Sequence, residues 1–546
     1  MLHDAAHPEI LTRRSNRWTH PRPAPTTAAG ARARLSDVPR RLTPMSELTV
    51  IVLAAGHGKR MKSKLPKVMH SIGGRSMVGH VLTAVQSLGA DRVVVVVGHG
   101  RDQVQAHVEQ LDERVVVAVQ EEQLGTGHAA QVGMLASGAT SGDVLVLTAD
   151  TPLLTGETLG WFVEKHRSGK RAVSVLTAQV PAPYGYGRIV RADGGDVRAI
   201  VEEKDASDAE RAIDEINSGI LAFDAAFLQT ALPRLERSQV SGEYYLTDTV
   251  RLAVGDGART GGYLLEDRVQ TEGANDGVQL AALGRELNRR TVERWMREGV
   301  TVIDPATTWI HVDVELARDV TILPGVQLLG ATIVGEDALI GPDTTLTDCE
   351  VGAGAHVVRT HASLSVIGEG ADVGPFAHLR PGTILGKGGK IGGFVETKNA
   401  EIGDGAKVPH LSYVGDAVIG EGSNIGAGTI FANYDGVKKH RTTVGKYAKT
   451  GSNNTFIPPV TIGDGASTGG GTVVRDDVPP GALAVSAGPL RVIEGWAQAK
   501  RPGTPQAEAA EAATGSDAPA GAGQTYGEHE ESHTGGRRVG DADTGA

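Results

Sequence analysis

The run Val366-Ile367-Gly368-Glu369-Gly370-Ala371-Asp372-Val373-Gly374 sets an aliphatic residue before a glycine twice, six positions apart. The same pair recurs at Val334-Gly335 and Ile340-Gly341, and again at Ile419-Gly420 and Ile425-Gly426. Val444-Gly445 and Ile462-Gly463 stand three such steps apart. A six-residue period fits one face of a triangular parallel β-helix, with the aliphatic side chain inside and glycine at the turn. The region from about Val302 to Val478 is therefore expected to coil. Inside it, Ala432 to Thr443 breaks the period and carries Asn433, Tyr434 and several cations. That stretch predicts a loop ejected from the coil, and loops on a rigid scaffold are where function usually sits.

Upstream the pattern changes. Leu48 to Ala54 is apolar apart from Thr49, and Arg92 to Val97 and Val144 to Leu147 are further short apolar runs. Between the first two, Met77, Val78, Val81, Leu82, Val85 and Leu88 fall on one helical face, which Gly89 ends. Strands alternating with helices predict a mostly parallel, doubly wound sheet, which binds ligands at the carboxyl ends of its strands. A polar helical stretch, Asp276 to Gly299, joins the two regions. The expected organisation is an Arg- and Pro-rich unstructured extension over 1–44 and an α/β doubly wound, Rossmann-like domain over 45–275. A helical linker over 276–300, a left-handed parallel β-helix of hexapeptide repeats over 301–500 and a disordered tail over 501–546 follow. Met45, just before the first strand, is an alternative start of translation.

Bulk properties narrow the classes. The chain has 546 residues, too many for one core, with 73 glycines and only 4% aromatic residues. The glycines keep no period of three, which excludes collagen, and an apolar fraction of 40% excludes general disorder. A formal charge of −11 without a basic stripe in the ordered region argues against a nucleic-acid partner. The single cysteine, Cys349, forbids an internal disulfide and fits a reducing compartment. No apolar run is long enough to span a bilayer and the amino terminus lacks an apolar signal core, so a cytoplasmic location without membrane contact is expected.

Directly after the first strand comes Leu53-Ala54-Ala55-Gly56-His57-Gly58-Lys59-Arg60-Met61, followed by Leu65-Pro66-Lys67. Small residues let backbone N–H groups approach a triphosphate, and Arg60 and Lys67 add positive charge. The dinucleotide fingerprint fails because its third glycine is absent. These residues resemble the sugar-nucleotide pyrophosphorylase signature. Gln120, Gln123-Leu124-Gly125-Thr126-Gly127-His128, Gly185-Tyr186-Gly187-Arg188, Glu202, Asn217-Ser218-Gly219, Tyr244-Tyr245-Leu246-Thr247-Asp248 and Glu272-Gly273-Ala274-Asn275 follow in order. The whole series resembles the bifunctional N-acetylglucosamine-1-phosphate uridylyltransferase/glucosamine-1-phosphate N-acetyltransferases, from about Leu48 to about Lys500.

That resemblance implies two reactions in UDP-N-acetylglucosamine synthesis, which supplies peptidoglycan and other cell-envelope precursors. In the first half, Asp150 and Asn275 are implied as Mg²⁺ ligands, a hard oxygen set shared with substrate phosphates. Arg60 and Lys67 are implied as catalytic cations. Leu53, Ala54, Ala55, Gly56, Thr148 and Ala149 are implied to border the nucleotide, with Gln120, Gly125 and Thr126 at the uracil end. Gly187, Glu202, Asn217 and Thr247 are implied to hold the sugar. Ala149 departs from the glycine usual in the family, and its methyl is expected to crowd the ribose or sugar.

In the second half, the resemblance implies that His410 is the base that takes a proton from the attacking amine, a role suited to its titration range. Glu396 is implied to orient the base or the amine, and Arg380, Lys398, Tyr413 and Asn424 to hold glucosamine-1-phosphate. Asn433 and Tyr434 are implied to complete the site. Acetyl-coenzyme A is expected to run past Ala427, Ser452 and Gly470. Ala487 stands where many relatives carry a basic residue, with Arg491 four positions on. A homotrimer through the β-helix is expected by analogy. The competing readings are a single-function sugar-1-phosphate nucleotidyltransferase with a structural β-helix, and a non-catalytic binder of sugar nucleotides.

Overall fold

The computed structural model describes residues 47–486 and 492–515. The expectations on 1–44, Met45, Ala487, Arg491 and the chain after 515 fall outside the described residues. The first compact unit holds both large regions, and the second begins at Ala487. In that second unit, Trp496–Lys500 and Pro505–Gly515 are helices, although the chain from Arg501 is expected from its sequence to be disordered. A stretch with little to bury has no core of its own, yet its alanines and glutamates favour local helix and Pro505 suits a first helical position.

The amino-terminal sheet has nine strands, seven of them on its main path: β1 (Leu48–Ala54), β2 (Arg92–Val97), β3 (Val116–Val119), β4 (Asp143–Thr148), β5 (Val173–Gln179), β6 (Glu215–Asp224) and β7 (Thr260–Leu264), with Arg188–Arg191 and Val197–Val201 pairing off it. The seven lie in the order β7-β5-β6-β4-β1-β2-β3. Strands β4, β1, β2 and β3 are mutually parallel, whereas β6 runs antiparallel to both its neighbours. Alternate residues of each strand serve opposite faces. Val50, Val52, Val95, Leu145 and Leu147 pack on one side against α1 (Met77–Gln86) and α3 (Gly156–Gly169). Ile51, Val94, Val96 and Val146 pack on the other against α2 (Thr126–Ser137). Burial on both faces explains why these strands read as unbroken apolar runs.

The polar linker is one helix, α4 (Gly277–Arg297), capped by Asp276, whose carboxylate accepts from the backbone of Val278 and Gln279. Asn288 of α4 bonds the first coil of the second region, donating to the Thr308 carbonyl and accepting from Ile310 N–H. The β-hairpin at Ser71–Ser76 also reaches that coil, with Val312 N–H donating to the Gly73 carbonyl at 2.9 Å. The two regions are therefore joined by buried polar contacts as well as by the chain.

The second region is the expected left-handed parallel β-helix. Thr321 pairs with Leu339, Gln327 with Thr345 and Glu315 with Ile333, so one coil takes about 18 residues, or three six-residue steps. Val334, Ile340, Ile367, Val373, Ile419, Ile425, Val444 and Ile462 all point into one continuous core. The glycine after the aliphatic residue answers a different demand. A Cβ on Gly335, Gly352, Gly368, Gly403, Gly420 or Gly445 would meet the backbone of the next coil at 2.5–2.8 Å. Glycine is required there by coil-to-coil spacing. Ile430–Phe431 and Thr442–Val444 are strands of the coil, so the ejected loop spans 432–441, slightly shorter than expected.

Candidate functional site

At the carboxyl ends of β1 and β4 four expected residues converge. Lys67 Nζ donates to Asp150 Oδ2, and to Asn275 Oδ1 at 2.7 Å. Arg60 Nη2 donates to the same Asn275 oxygen at 2.8 Å. Local geometry explains the convergence. Gly58 is left-handed, φ +57°, and a Cβ there would strike Lys67 Cβ at 2.6 Å, so the loop folds directly over the lysine stem. Asp150 follows β4, and its carbonyl accepts from Ala274 N–H at 3.2 Å, bringing Asn275 alongside. A carboxylate and an amide oxygen aimed at one cation suit Mg²⁺ shared with substrate phosphates. Gly56 has nothing within 4 Å of the place a Cβ would occupy, which leaves space beside Ala54 and Ala55.

Gln120 is buried, and its amide donates to the Gly125 carbonyl at 3.2 Å. It borders a cavity of about 410 Å³ lined also by Gly98, His99, Arg101, Val119 and Gln123. Gly125 has φ +102°, and a Cβ there would lie 2.5 Å from the Tyr244 carbonyl. Thr126 Oγ1 accepts from Leu246 N–H at 3.0 Å. These contacts bring the Gln123–His128 and Tyr244–Asp248 motifs together although more than a hundred residues separate them. On the other side, Asn217 N–H donates to the Gly187 carbonyl at 2.8 Å, and Thr247 Oγ1 donates to Glu202 Oε1 at 2.9 Å. Between Asn217, paired with Thr177, and Leu221, paired with Val175, the pairing of β6 with β5 shifts register, lifting Ser218-Gly219-Ile220 out of the ladder. Thr148 approaches Gly219 at this point. Burial raises the Glu202 carboxyl above its ordinary range, with Thr247 opposing. Ala149 is 1% exposed and packs with Leu145 and Leu147. Its methyl follows the alternation of β4 into the core.

The β-helix residues divide between two adjacent faces. On one, His378, Glu396 and Tyr413 are in register on successive coils, and Lys398 pairs with Gly415. Arg380 Nη1 donates to Glu396 Oε1 at 2.9 Å. A Cβ on Gly415 would meet both the Tyr413 hydroxyl at 2.5 Å and Asn433 Nδ2 at 2.6 Å, so these two groups meet over a glycine. Asn433 is buried and bonds Asp416. Lys439, in the ejected loop, lies against Lys398 and is the main cause of its lowered pKa, followed by burial and Arg380. Lys439 was not singled out among the sequence candidates. The several cations in a loop that breaks the repeat were the available signal. Three cations within one patch suit a phosphate. Tyr434 is exposed, with its hydroxyl turned to the Gly436 carbonyl.

On the neighbouring face, His410 is exposed and pairs with Gly393. Backbone bonds from Gly428 to His410, Asn453 to Ala427 and Gly471 to Ser452 stack His410, Ala427, Ser452 and Gly470 on successive coils. Asn424 lies on this face too, bridging Lys407 and Lys449. The corner between the faces carries Phe376, Phe394 and Leu411, all exposed; the two phenyl rings stack at 5.2 Å. Within one chain, the sugar-phosphate candidates and the His410 column are thus set around a corner from each other.

Among known proteins, the MobA-like NTP transferase family profile matches residues 50–215. Bifunctional protein GlmU of Rhodococcus opacus is 59% identical over 475 residues, covering 86% of this chain and 95% of that protein. Bifunctional protein GlmU of Corynebacterium glutamicum is 56% identical over 468 residues, covering 85% and 96%. The protein of that name from Mycolicibacterium gilvum is 55% identical over 473 residues, covering 86% and 95%. Matches of this identity and length take in both the doubly wound domain and the β-helix, and the chain belongs to the bifunctional GlmU family of transferases that its motifs resemble.

Proposed function

We propose that the chain acetylates glucosamine-1-phosphate with acetyl-coenzyme A on its β-helix and then joins the product to UMP from UTP in its amino-terminal domain. The observation that carries this reading is one chain with two separate sites, Lys67–Asp150–Asn275 at the strand ends and the His410 column on the coil. A nucleotidyltransferase with a purely structural β-helix leaves His410, Lys398, Arg380 and Tyr413 without a task.

In the uridylyl half, a phosphate oxygen of N-acetylglucosamine-1-phosphate attacks the α-phosphorus of UTP, and the bond to the β-phosphate breaks to release pyrophosphate. Asp150 and Asn275 would hold Mg²⁺, which supplies charge neutralisation on the phosphates. Arg60 and Lys67 carry two further positive charges within reach of the same oxygens, and Gln120, Gly125 and Thr126 fix the uracil end. Glu202, Asn217, Gly187 and Thr247 fix the sugar. Positioning and charge do the work, with no covalent intermediate. In the acetyl half, the glucosamine amine attacks the thioester carbonyl, His410 takes the amine proton, and coenzyme A leaves as the thiol. Arg380, Lys398 and Lys439 bind the phosphate, Tyr413, Asn424 and Asn433 position the sugar, and Ala427, Ser452 and Gly470 give acetyl-coenzyme A a smooth track. Because the two groups of residues lie on adjacent faces, we propose that a homotrimer completes each site by apposing a second copy. UTP and acetyl-coenzyme A are cytoplasmic metabolites, and the cytoplasm is the compartment we assign.

The test is an assay of purified protein with glucosamine-1-phosphate, acetyl-coenzyme A, UTP and Mg²⁺, following free thiol and pyrophosphate separately. His410→Ala should lower thiol release roughly a hundredfold or more. Pyrophosphate release from supplied N-acetylglucosamine-1-phosphate should not change. Thiol release that survives the substitution removes His410 as the base.

A further inference from the structure

Asp150 and Asn275 come from distant segments, the end of β4 and the turn before α4, yet both turn an oxygen onto the ammonium of Lys67. The lysine and aspartate side chains are only 13% and 22% exposed, so the pair is partly withdrawn from water. Gly58 closes over the lysine stem and limits how far it can move while the loop keeps this shape. Arg60 adds a second positive group on the same amide oxygen. A divalent ion on these oxygens sits about 2.0–2.1 Å from each. That position overlaps the space around Nζ, and two cations a few ångströms apart on one carboxylate repel strongly where water is scarce.

We propose that Lys67 competes with the divalent cation for Asp150 and Asn275, so that it acts as the element coupling metal binding to nucleotide binding. The triphosphate offers the ammonium new acceptors, and its transfer to them frees both oxygens. Such coupling is reciprocal: what draws Lys67 away raises metal affinity, and metal in turn favours the lysine position that nucleotide needs. Lys67 therefore has a cost as well as a use, since it weakens metal binding to the protein alone. The inference rests on the uridylyltransferase reading of this site and extends it to the order in which the site fills.

The experiment measures Mn²⁺ binding to the full-length protein without nucleotide, by the loss of the free-ion electron paramagnetic resonance signal. Wild type, the single variants Lys67→Gln and Lys67→Ala, the double variant Lys67→Gln/Asp150→Asn and the control Asp150→Asn are compared, each first checked by thermal melting for an intact fold. Competition predicts that both single variants bind Mn²⁺ about tenfold more tightly than wild type, and that the double variant loses the gain. Affinity in both single variants equal to or below wild type, with Asp150→Asn abolishing Mn²⁺ binding by the wild-type background, overturns the competition and leaves the metal site standing. Mn²⁺ binding indifferent to Asp150→Asn in either background overturns both the competition and the reading on which it rests. A second readout is UTP affinity in the presence of chelator, where Lys67→Gln should weaken binding by about the same factor because the ammonium is then lost to the phosphates.

Discussion

At the scale of single residues, what distinguishes the two sites is how each handles charge. The uridylyl site keeps its cations paired with Asp150 and Asn275. The β-helix instead collects like charges: Lys398 lies beside Lys439 and near Arg380, and these neighbours lower its pKa. Packing positive groups together costs energy that a bound dianion returns, because each cation then gains a charge-assisted hydrogen bond. Lys439→Ala should therefore raise the KM for glucosamine-1-phosphate roughly tenfold, equivalent to about 1.4 kcal/mol. Uridylylation of supplied N-acetylglucosamine-1-phosphate should be unaffected, and steady-state kinetics of the two half-reactions checks both. An unchanged KM would detach Lys439 from the phosphate.

At the scale of elements, the β-helix and the sheet fail in different ways. Gly368 has no positive φ to explain it, but a Cβ there would lie 2.6 Å from the backbone of Gly386. Gly368→Ala must push two coils apart, and overpacking of this kind costs about 1–3 kcal/mol. The expected result is a lower thermal midpoint, read by calorimetry. In the sheet domain, His166 of α3 is buried and hydrogen-bonds Ser174 across the helix–strand contact at 2.9 Å. Burial lowers its pKa below the ordinary 6.5, with Asp143 and Asp224 opposing. The unfolded chain thus binds the proton more readily than the folded one. Stability is fully present above about pH 6.5 and falls as the pH drops through that value towards the lowered one. Thermal melting between pH 7.5 and 5.5 should show the loss, and His166→Gln should flatten the slope.

For the whole molecule, the corner of Phe376, Phe394 and Leu411 and the split of the acetyltransferase candidates across two faces are what support the proposed homotrimer. Three exposed apolar side chains in one row are costly to leave in water and fit burial against another subunit. Light scattering coupled to gel filtration should give a mass near three times 56.8 kDa, and Phe394→Glu should lower both the mass and thiol release. A monomeric mass with full acetyltransferase activity would refute the shared site.

The sequence by itself determined the two folds, since each follows from a local rule repeated along the chain. The six-residue spacing of Ile367-Gly368 and Val373-Gly374 needs only the geometry of one coil to be legible, and the apolar runs at Leu48 and Arg92 need only burial on both faces. It also supplied the candidate site residues, through motifs whose order matches one family. It did not determine the partners that arise between distant segments. Lys67 with Asp150 and Asn275, Thr126 with Leu246, and Lys439 with Lys398 meet only because the sheet and the coil bring remote turns together. Ala149 shows the same limit: its neighbours in sequence suggest a ligand contact, while the alternation of β4 turns its methyl into the core. Helix at Pro505–Gly515 was missed for the opposite reason, because composition reports the lack of a core but not the local preference of alanine for helix. Spacing along a chain fixes what each segment becomes, and only packing fixes which charges end up facing one another.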